Sequence, residues 1–169
     1  MRSLTTIFLL GTSFSVLAGS ALAEDLQGTV VSVGSAMNTT VMLTQPTDPK
    51  GPTLCYTDVT KRVRKLSAMT VKVSGAWKTN QKGEKTCFEV TDFDVLKTSS
   101  GRDAVVGTLG ESGGAYQVTG KDGKVMTLGE ITGGLKKLKG QKVILDLKSM
   151  NSPAAKEPTY KVVTYAAYP

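Results

Sequence analysis

Histidine is absent from the chain, which removes the commonest general base and the commonest metal ligand of proteins. Only two cysteines are present, Cys55 and Cys87, and no C-x-x-C spacing lowers the pKa of a thiol. If they pair with each other, no thiolate nucleophile or zinc site remains. We therefore expect a protein that is not an enzyme and that holds no metal or cofactor. A Ser–Lys site is the alternative that stays open, because serine and lysine are plentiful.

Beyond its N-terminus the chain also lacks any apolar run long enough to span a bilayer. The N-terminus itself has a basic Arg2, an apolar stretch from residue 7 to 17, and Ala21-Leu22-Ala23, the small-x-small pattern that signal peptidase reads. Residues 1–23 are therefore predicted to be a signal peptide, with an uncleaved membrane anchor as the alternative. We expect a mature protein that is periplasmic or secreted, with no transmembrane segment after cleavage.

The second half of the chain repeats the apolar pattern of the first half 72 positions later. The matched pairs are Leu54 and Met126, Val59 and Ile131, Val63 and Leu135, Leu66 and Leu138, Val71 and Val143, Val73 and Leu145, Phe88 and Tyr160, Val90 and Val162, and Phe93 and Tyr165. An offset held this long indicates one structural unit used twice. We predict a first domain at 24–100 and a second at 101–169.

The repeat also bears on the two cysteines. An exported chain meets an oxidising compartment, so Cys55 and Cys87 are predicted to form a structural disulfide. The equivalent positions in the second half are Thr127 and Thr159. Both members of the pair change together, to two residues that make a normal cross-strand pair. This coupled replacement is what residues in contact would show.

Each unit is predicted to contain three strands, a short helix and two further strands. The predicted strands are 26–33, 40–44, 53–57, 69–77 and 87–96 in the first unit, and 105–109, 115–119, 124–128, 143–147 and 160–167 in the second. The first helix begins at Asp58, which is predicted to cap it, and glycines shorten the second. In each final strand the apolar alternation slips by one residue, after Val90 and after Val162, which predicts a repeated bulge.

This order of elements resembles the OB-fold, a five-stranded barrel with a helix between its third and fourth strands. The resemblance covers nearly the whole mature chain, twice, and is architectural because OB-folds share no diagnostic motif. It implies a mostly β protein of two tandem five-stranded OB-like barrels, each with one short helix. It also implies that the third and fifth strands are parallel neighbours, which places Cys55 beside Cys87.

Two sets of residues are candidates for binding. Basic residues cluster on the two helices and predict a patch for an anionic partner, with a solvated helix face as the alternative. The members of this patch are Lys61, Arg62, Arg64, Lys65, Lys136, Lys137, Lys139 and Lys142. Tyr56 and Trp77 are candidate contacts to a ligand or partner, with half-buried packing as the other interpretation of Trp77. Phe88, Tyr160 and Tyr165 are expected in the core.

The OB-fold hosts oligosaccharide, oligonucleotide and protein ligands, so the resemblance implies binding and not chemistry. For an exported chain we expect a non-enzymatic binding protein of the bacterial envelope, with a glycan, peptidoglycan or protein partner. Single-stranded nucleic acid or an anionic surface is the alternative, and steep salt dependence would mark it. The disulfide, the loop from Pro46 to Pro52 and Trp77 occur only in the first unit, and the specific contact is expected there.

Overall fold

The computed structural model describes residues 23–35, 38–150 and 158–169, so the predicted signal peptide lies outside the described residues except for Ala23. Within these ranges the protein is mostly β, with two short helices. Its elements are β1 (Glu24–Ser35), β2 (Asn38–Thr44), α1 (Asp58–Arg64), β3 (Thr70–Thr79), β4 (Lys85–Lys97), β5 (Val105–Ser112), β6 (Ala115–Gly120), β7 (Val125–Leu128), α2 (Gly133–Lys136), β8 (Lys142–Ser149) and β9 (Thr159–Ala167).

The second half of the chain forms a closed barrel with the strand order β5-β6-β7-β9-β8. Because β8 also pairs with β5, the circle is complete. The closing contact is a parallel pairing of β7 with β9, in which Thr127 lies opposite Thr159. The predicted parallel neighbourhood of the third and fifth strands is therefore confirmed in this half.

The first half forms an open four-stranded sheet with the order β2-β1-β3-β4, so a second closed barrel is not shown. The predicted strand at 53–57 is wrong as a strand, because only two isolated bridges form there: Thr53 pairs with Met42, and Leu54 pairs with Phe88. In the second half, the turn at 121–124 returns β7 directly along β6. The longer connection at 45–52 contains its own tight turn, in which the backbones of Gln45 and Asp48 pair. The segment after it bonds to both neighbours: the N–H of Leu54 donates to Val41 on β2, and the N–H of Cys55 donates to Phe88 on β4.

The repeat is visible in the backbone of both halves. In each final strand one residue is skipped by the register, Thr91 opposite β3 and Val163 opposite β8, so the predicted bulge is confirmed at equivalent positions. A left-handed residue follows each helix, Ala68 with φ 65° and Gly140 with φ 81°.

One predicted helix cap is corrected. Thr57, and not Asp58, caps α1: its extended backbone lets its hydroxyl accept the backbone N–H of Thr60. Asp58 is the first helical residue, and its carboxylate pairs with Lys61 at 2.7 Å. In α2, Thr132 fills the capping role and accepts from the backbone N–H of Leu135. The caps therefore repeat, while the second helix keeps only four residues.

The two halves have separate cores that share a boundary. The first core contains Val30, Val41, Leu43, Leu54, Val63, Leu66, Val71, Val73, Phe88, Val90, Phe93 and Val95, together with Ile144 from β8. The second contains Leu109, Val118, Leu128, Ile131, Leu135, Val143 and Leu145. Because neighbouring residues of a strand point to opposite faces, Ile144 enters the first core while Leu145 enters the second. A strand of the second half thus completes the core of the first.

Aromatic and basic side chains seal this boundary. The ring of Tyr168 stacks on Phe93 at 5.5 Å with an interplanar angle of 12°. The guanidinium of Arg62 lies 5.2 Å from the Phe93 ring centre, and its Nε donates to the backbone oxygen of Pro169 at 3.1 Å. The ammonium of Lys142 lies 3.7 Å from the ring centre of Tyr168. Burial raises the pKa of Tyr168. Two cations therefore flank one stacked aromatic pair.

The disulfide between Cys55 and Cys87 is present, with a Cα–Cα distance of 5.1 Å. It joins the segment that precedes α1 to β4, at the place where the second half pairs Thr127 with Thr159. Such bonds persist in oxidising compartments, which favours a location outside the cytoplasm. In the described ranges, the structure has no helix that is long and apolar enough to cross a membrane.

The connection between the halves is held by a buried carboxylate. Asp146 on β8 is fully buried and accepts hydrogen bonds from Arg102 at 2.7 Å and from Ser100 at 2.5 Å. Thr98 donates a longer bond of 3.3 Å to the same carboxylate. The Arg102 bond, followed by that of Ser100, lowers the pKa of Asp146, although burial alone would raise it. The segment from Thr98 to Arg102, which connects the two halves, is therefore fixed to the second half.

This network makes stability depend on pH in a defined direction. Because the pKa of Asp146 is lower in the folded protein, its stabilisation is complete above the unfolded-state pKa of about 3.9 and is lost as the pH falls through the folded value. We expect Asp146→Asn to cost about 1.5–3 kcal/mol at neutral pH, from the lost charge-assisted bonds, and to flatten the acid limb of stability. Urea unfolding between pH 2.5 and 7 measures both effects.

Asp25 supplies the matched control for this prediction. It also accepts a hydrogen bond from a serine, Ser74, and pairs with Lys72 at 2.7 Å, but it is exposed. Exposed ion pairs contribute little. Asp25→Asn should therefore leave the urea midpoint at pH 7 almost unchanged. Equal losses in the two variants would contradict a special role for the buried Asp146.

Candidate functional site

A groove opens between α2 and β9 in the second half. It encloses about 270 Å³, and its lining is Glu130, Ile131, Thr132, Leu135, Val162, Val163, Thr164 and Tyr165. An adjoining space of about 420 Å³ shares four of these residues and adds Met150 and Lys161. Apolar side chains dominate the lining, with a few polar groups among them, which is the usual composition of a binding pocket.

The internal repeat explains why the groove is open. In the first half, α1 has seven residues, and its Arg62 covers the ring of Phe93. In the second half α2 has four residues, and Gly134 stands where Arg62 stands in the first. Tyr165 is the equivalent of Phe93, and among the described residues neither an arginine nor a second aromatic ring packs on it. The groove is therefore open in the second half at the position that Arg62 and Tyr168 cover in the first half.

Tyr165 is the most informative residue of the groove. The expectation that it belongs to the core is wrong: it is 40% exposed, whereas Phe93 is 3% exposed. Its hydroxyl would lie 2.2 Å from a Cβ added at Gly134, so the ring rests against the helix backbone because that residue has no side chain. With Val163, which is 42% exposed, it forms an apolar patch beside the groove.

The backbone of β9 contributes a free edge to the groove. After Tyr160, β9 pairs only with β8 among the described strands. Four consecutive residues, Val162 to Tyr165, line the cavity. β8 lies on one side of these residues, and no described strand lies on the other. The backbone N–H and C=O groups on that second side are therefore available to another chain.

The charges around the groove are not balanced by ion pairs. Glu130 and Lys161 both line the adjoining space, and neither makes an ion pair within the described part of the chain. Lys148 lies directly opposite Lys161 in the pairing of β8 with β9. Like charges at opposed positions of a sheet are unfavourable. An acidic group from outside would relieve this pair of lysines.

The structure divides the eight predicted basic residues. Arg62 and Lys142 lie at the boundary between the halves, on the Phe93–Tyr168 pair. Lys61 pairs with Asp58 at 2.7 Å and Lys139 with Glu111 at 2.6 Å, and each pairing raises the pKa of its lysine.

The other four members of the predicted patch make no ion pair in the ranges that the structure describes. They are Arg64, Lys65, Lys136 and Lys137. The ammonium of Lys136 lies 5.9 Å from the ring centre of Tyr116, so this side chain already has an aromatic neighbour. Five of the eight predicted basic residues are therefore engaged in contacts within the protein.

The two predicted aromatic contacts lie in different surroundings. Tyr56 is 78% exposed, with the ammonium of Lys61 5.2 Å from its ring centre. Trp77 is half-buried against the first core, in an edge-to-face contact with Phe88 at 5.4 Å. Lys85 lies 4.5 Å from the Trp77 ring, and the buried Nε1 of Trp77 has no hydrogen-bond partner among the described residues. Trp77 is thus mainly a packing residue, and Tyr56 remains a candidate contact.

Sequence reasoning missed the groove. Half of the lining residues were predicted only as repeats of core positions: Ile131, Leu135, Val162 and Tyr165. The other half carried no prediction: Glu130, Thr132, Val163 and Thr164. A signal was present, however. Gly134 replaces Arg62 at the equivalent position, which removes a large side chain from beside the final strand.

No family model, curated protein or solved structure matches this chain. Across the described ranges, no group of three or more histidine, cysteine, aspartate or glutamate residues is arranged to hold a metal ion. The groove is therefore interpreted from its own geometry and from its counterpart in the first half.

Proposed function

We propose that this chain is an exported, non-enzymatic binding protein of the bacterial envelope that takes a protein or glycan partner in the groove between α2 and β9. One observation carries the proposal. An apolar groove with an exposed tyrosine and a free strand edge stands open at the place where the other half of the molecule is filled. Such a groove with a few convergent polar groups is the default binding site of a protein.

The proposed architecture is two tandem OB-like units. The second half supports it with a closed barrel of five strands and a parallel contact between the third and fifth. The first half supports it less directly. Its bridges at Thr53 and Leu54 connect β2 to β4 at the place where the third strand of a five-stranded barrel would lie. The disulfide supports a periplasmic or secreted location.

Nucleic acid or an anionic surface is less well supported as the partner. Binding of single strands needs a basic groove lined by aromatic platforms. Here Arg62 and Lys142 are engaged at the boundary between the halves, and Lys61 and Lys139 are engaged in ion pairs. The exposed Tyr56 adjoins Lys61, which already has a carboxylate partner.

The proposal is tested by capture from an envelope extract on the immobilised mature protein, at low and high salt. We expect Tyr165→Ser to reduce the captured partner about tenfold or more, because the variant removes the largest exposed ring of the groove. Tyr56→Ser is the matched control, an exposed tyrosine in the other half, and should capture normally. Retention by Tyr165→Ser and loss by Tyr56→Ser would move the site to the first half.

A further inference from the structure

We propose that the partner is an extended peptide segment of another protein, which lays an aromatic side chain on Tyr165 and pairs with the free edge of β9. This inference rests on the proposed function and names the class of partner for the same groove.

The molecule contains its own example of such a contact. Phe93, the counterpart of Tyr165, is covered by Tyr168 from the C-terminal end of the chain. The hydroxyl of Tyr168 donates to the backbone oxygen of Phe93 at 3.4 Å, so the covering residue contacts both the ring and the strand. The oxygen of the next residue, Pro169, accepts from Arg62. An extended aromatic segment is therefore what this fold places on the equivalent strand.

The groove is continuous with that interface. β9 carries Tyr165 into the groove and Ala166 into the contact with the first core, and Tyr168 follows one residue after the strand ends. The groove and the interface are thus contiguous along one strand. A segment along the free edge of β9 would continue, past Tyr165, the packing that Ala166 and Tyr168 already make.

Lys161 and Lys148 form a positive end of the groove to which an acidic group of the peptide can bind, although Glu130 also lines this space. Lys161 and Lys148 oppose each other at one end and lack an acidic partner within the described residues. In the first half, a cation, Arg62, holds a backbone oxygen of the covering segment. A carboxylate beside the aromatic residue would meet the lysines while the ring meets Tyr165.

The groove favours a peptide over a glycan. Half of the lining is aliphatic and cannot hydrogen-bond a sugar hydroxyl, although Glu130, Thr132, Thr164 and Tyr165 can, so the preference for a peptide rests on the backbone edge. The free backbone edge offers the regular donors and acceptors that an added strand uses. Main-chain pairing then provides affinity, and the tyrosine provides selection for an aromatic residue.

The test uses a probe taken from the chain itself. N-acetylated Ala-Ala-Tyr-Pro, residues 166–169, keeps its free carboxylate and is titrated into the mature protein while heteronuclear NMR follows the amides of Val162 to Tyr165. We expect saturable shifts at these amides. Affinity should fall about tenfold for the peptide with alanine in place of tyrosine, and several-fold for the peptide amide.

Protein variants separate the groove from other surfaces. Tyr165→Ala should weaken the probe about tenfold, and Lys161→Gln should weaken the free acid but not the amide. Gly134→Arg puts an arginine beside Tyr165, as Arg62 lies beside Phe93 in the first half, and should block binding. Tyr56→Ala should bind the probe normally. The dispersion of the amide signals in the same heteronuclear NMR spectra reports whether each variant is folded.

Three results would overturn the inference. The first is a probe that binds Tyr165→Ala and the unaltered protein equally. The second is the absence of shifts at millimolar peptide. The third is binding of a peptidoglycan disaccharide at the same amides without binding of the peptide, and this result would leave the proposed function standing. Failure of the proposed function would be seen in a different experiment: Tyr165→Ser would capture the same partner from the envelope extract as the unaltered protein does.

Discussion

Replacing Ile144 with alanine is expected to destabilise the first half of the protein by about 2–5 kcal/mol, although this residue belongs to the second half. Its side chain is 1% exposed and packs within the first core. The substitution removes three carbons from a site where β8 cannot move without disturbing its pairing with β5 and β9. Little collapse of the resulting cavity is therefore expected, which places the cost towards the upper part of this range.

The chain offers both a reporter and a neighbouring control for this experiment. Trp77 is the only tryptophan and packs against Phe88 in the first core, so its fluorescence follows that core alone. Leu145→Ala makes a similar cavity in the second core. In urea titrations, Ile144→Ala should lower the midpoint of the Trp77 transition directly. An unchanged Trp77 midpoint in that variant would show that Ile144 does not contribute to the first core.

Loss of the disulfide is the second large effect that we expect. The bond joins residues 32 positions apart, and on the chain-entropy model its removal should cost about 3–4 kcal/mol. The bridge also ties the segment at 53–55 to β4, where only isolated pairings hold it. The double variant Cys55→Ser and Cys87→Ser should therefore lower the urea midpoint of the Trp77 signal, and a reductant should do the same to the unaltered protein.

The second half suggests the control for this prediction. Thr127 and Thr159 are register partners at the equivalent place, so Cys55→Thr with Cys87→Thr installs a pair that the fold already uses. Cross-strand pairs of this kind contribute about 0.2–1 kcal/mol. The threonine variant should recover only that part of the loss. Full recovery would mean that the covalent link itself contributes nothing, and a stable reduced protein would support that conclusion.

Much of the architecture was predictable because it is periodic. The position of the repeated bulge followed from a one-residue slip after Val90 and Val162, and the register skips Thr91 and Val163. The disulfide followed from the paired replacement by Thr127 and Thr159. These features are local, or are related by the repeat, so side-chain pattern alone determines them.

Other features depend on contacts that pattern does not contain. Residues 53–57 have the composition of a strand but form only isolated bridges, because each neighbouring strand is met at a single residue, Met42 on β2 and Phe88 on β4. Tyr165 has the spacing of a core residue, yet its exposure depends on Gly134 and on the absence of a neighbour. Ile144 lies on β8 but packs in the first core. This placement depends on how the two halves pack together, which the pattern of a single repeat does not specify.

The boundary between the halves has a consequence for the order of folding. Synthesis completes residues 24–100 first, but their core includes Ile144 and is covered by Tyr168, the next-to-last residue of the described chain. An N-terminal unit that emerges alone therefore exposes Phe93 and the neighbouring apolar surface until the last strand is made. Once this unit reaches an oxidising compartment, the Cys55–Cys87 bond can hold it together covalently before the second half has packed against it. The disulfide would then act first on a folding intermediate and afterwards on the finished protein.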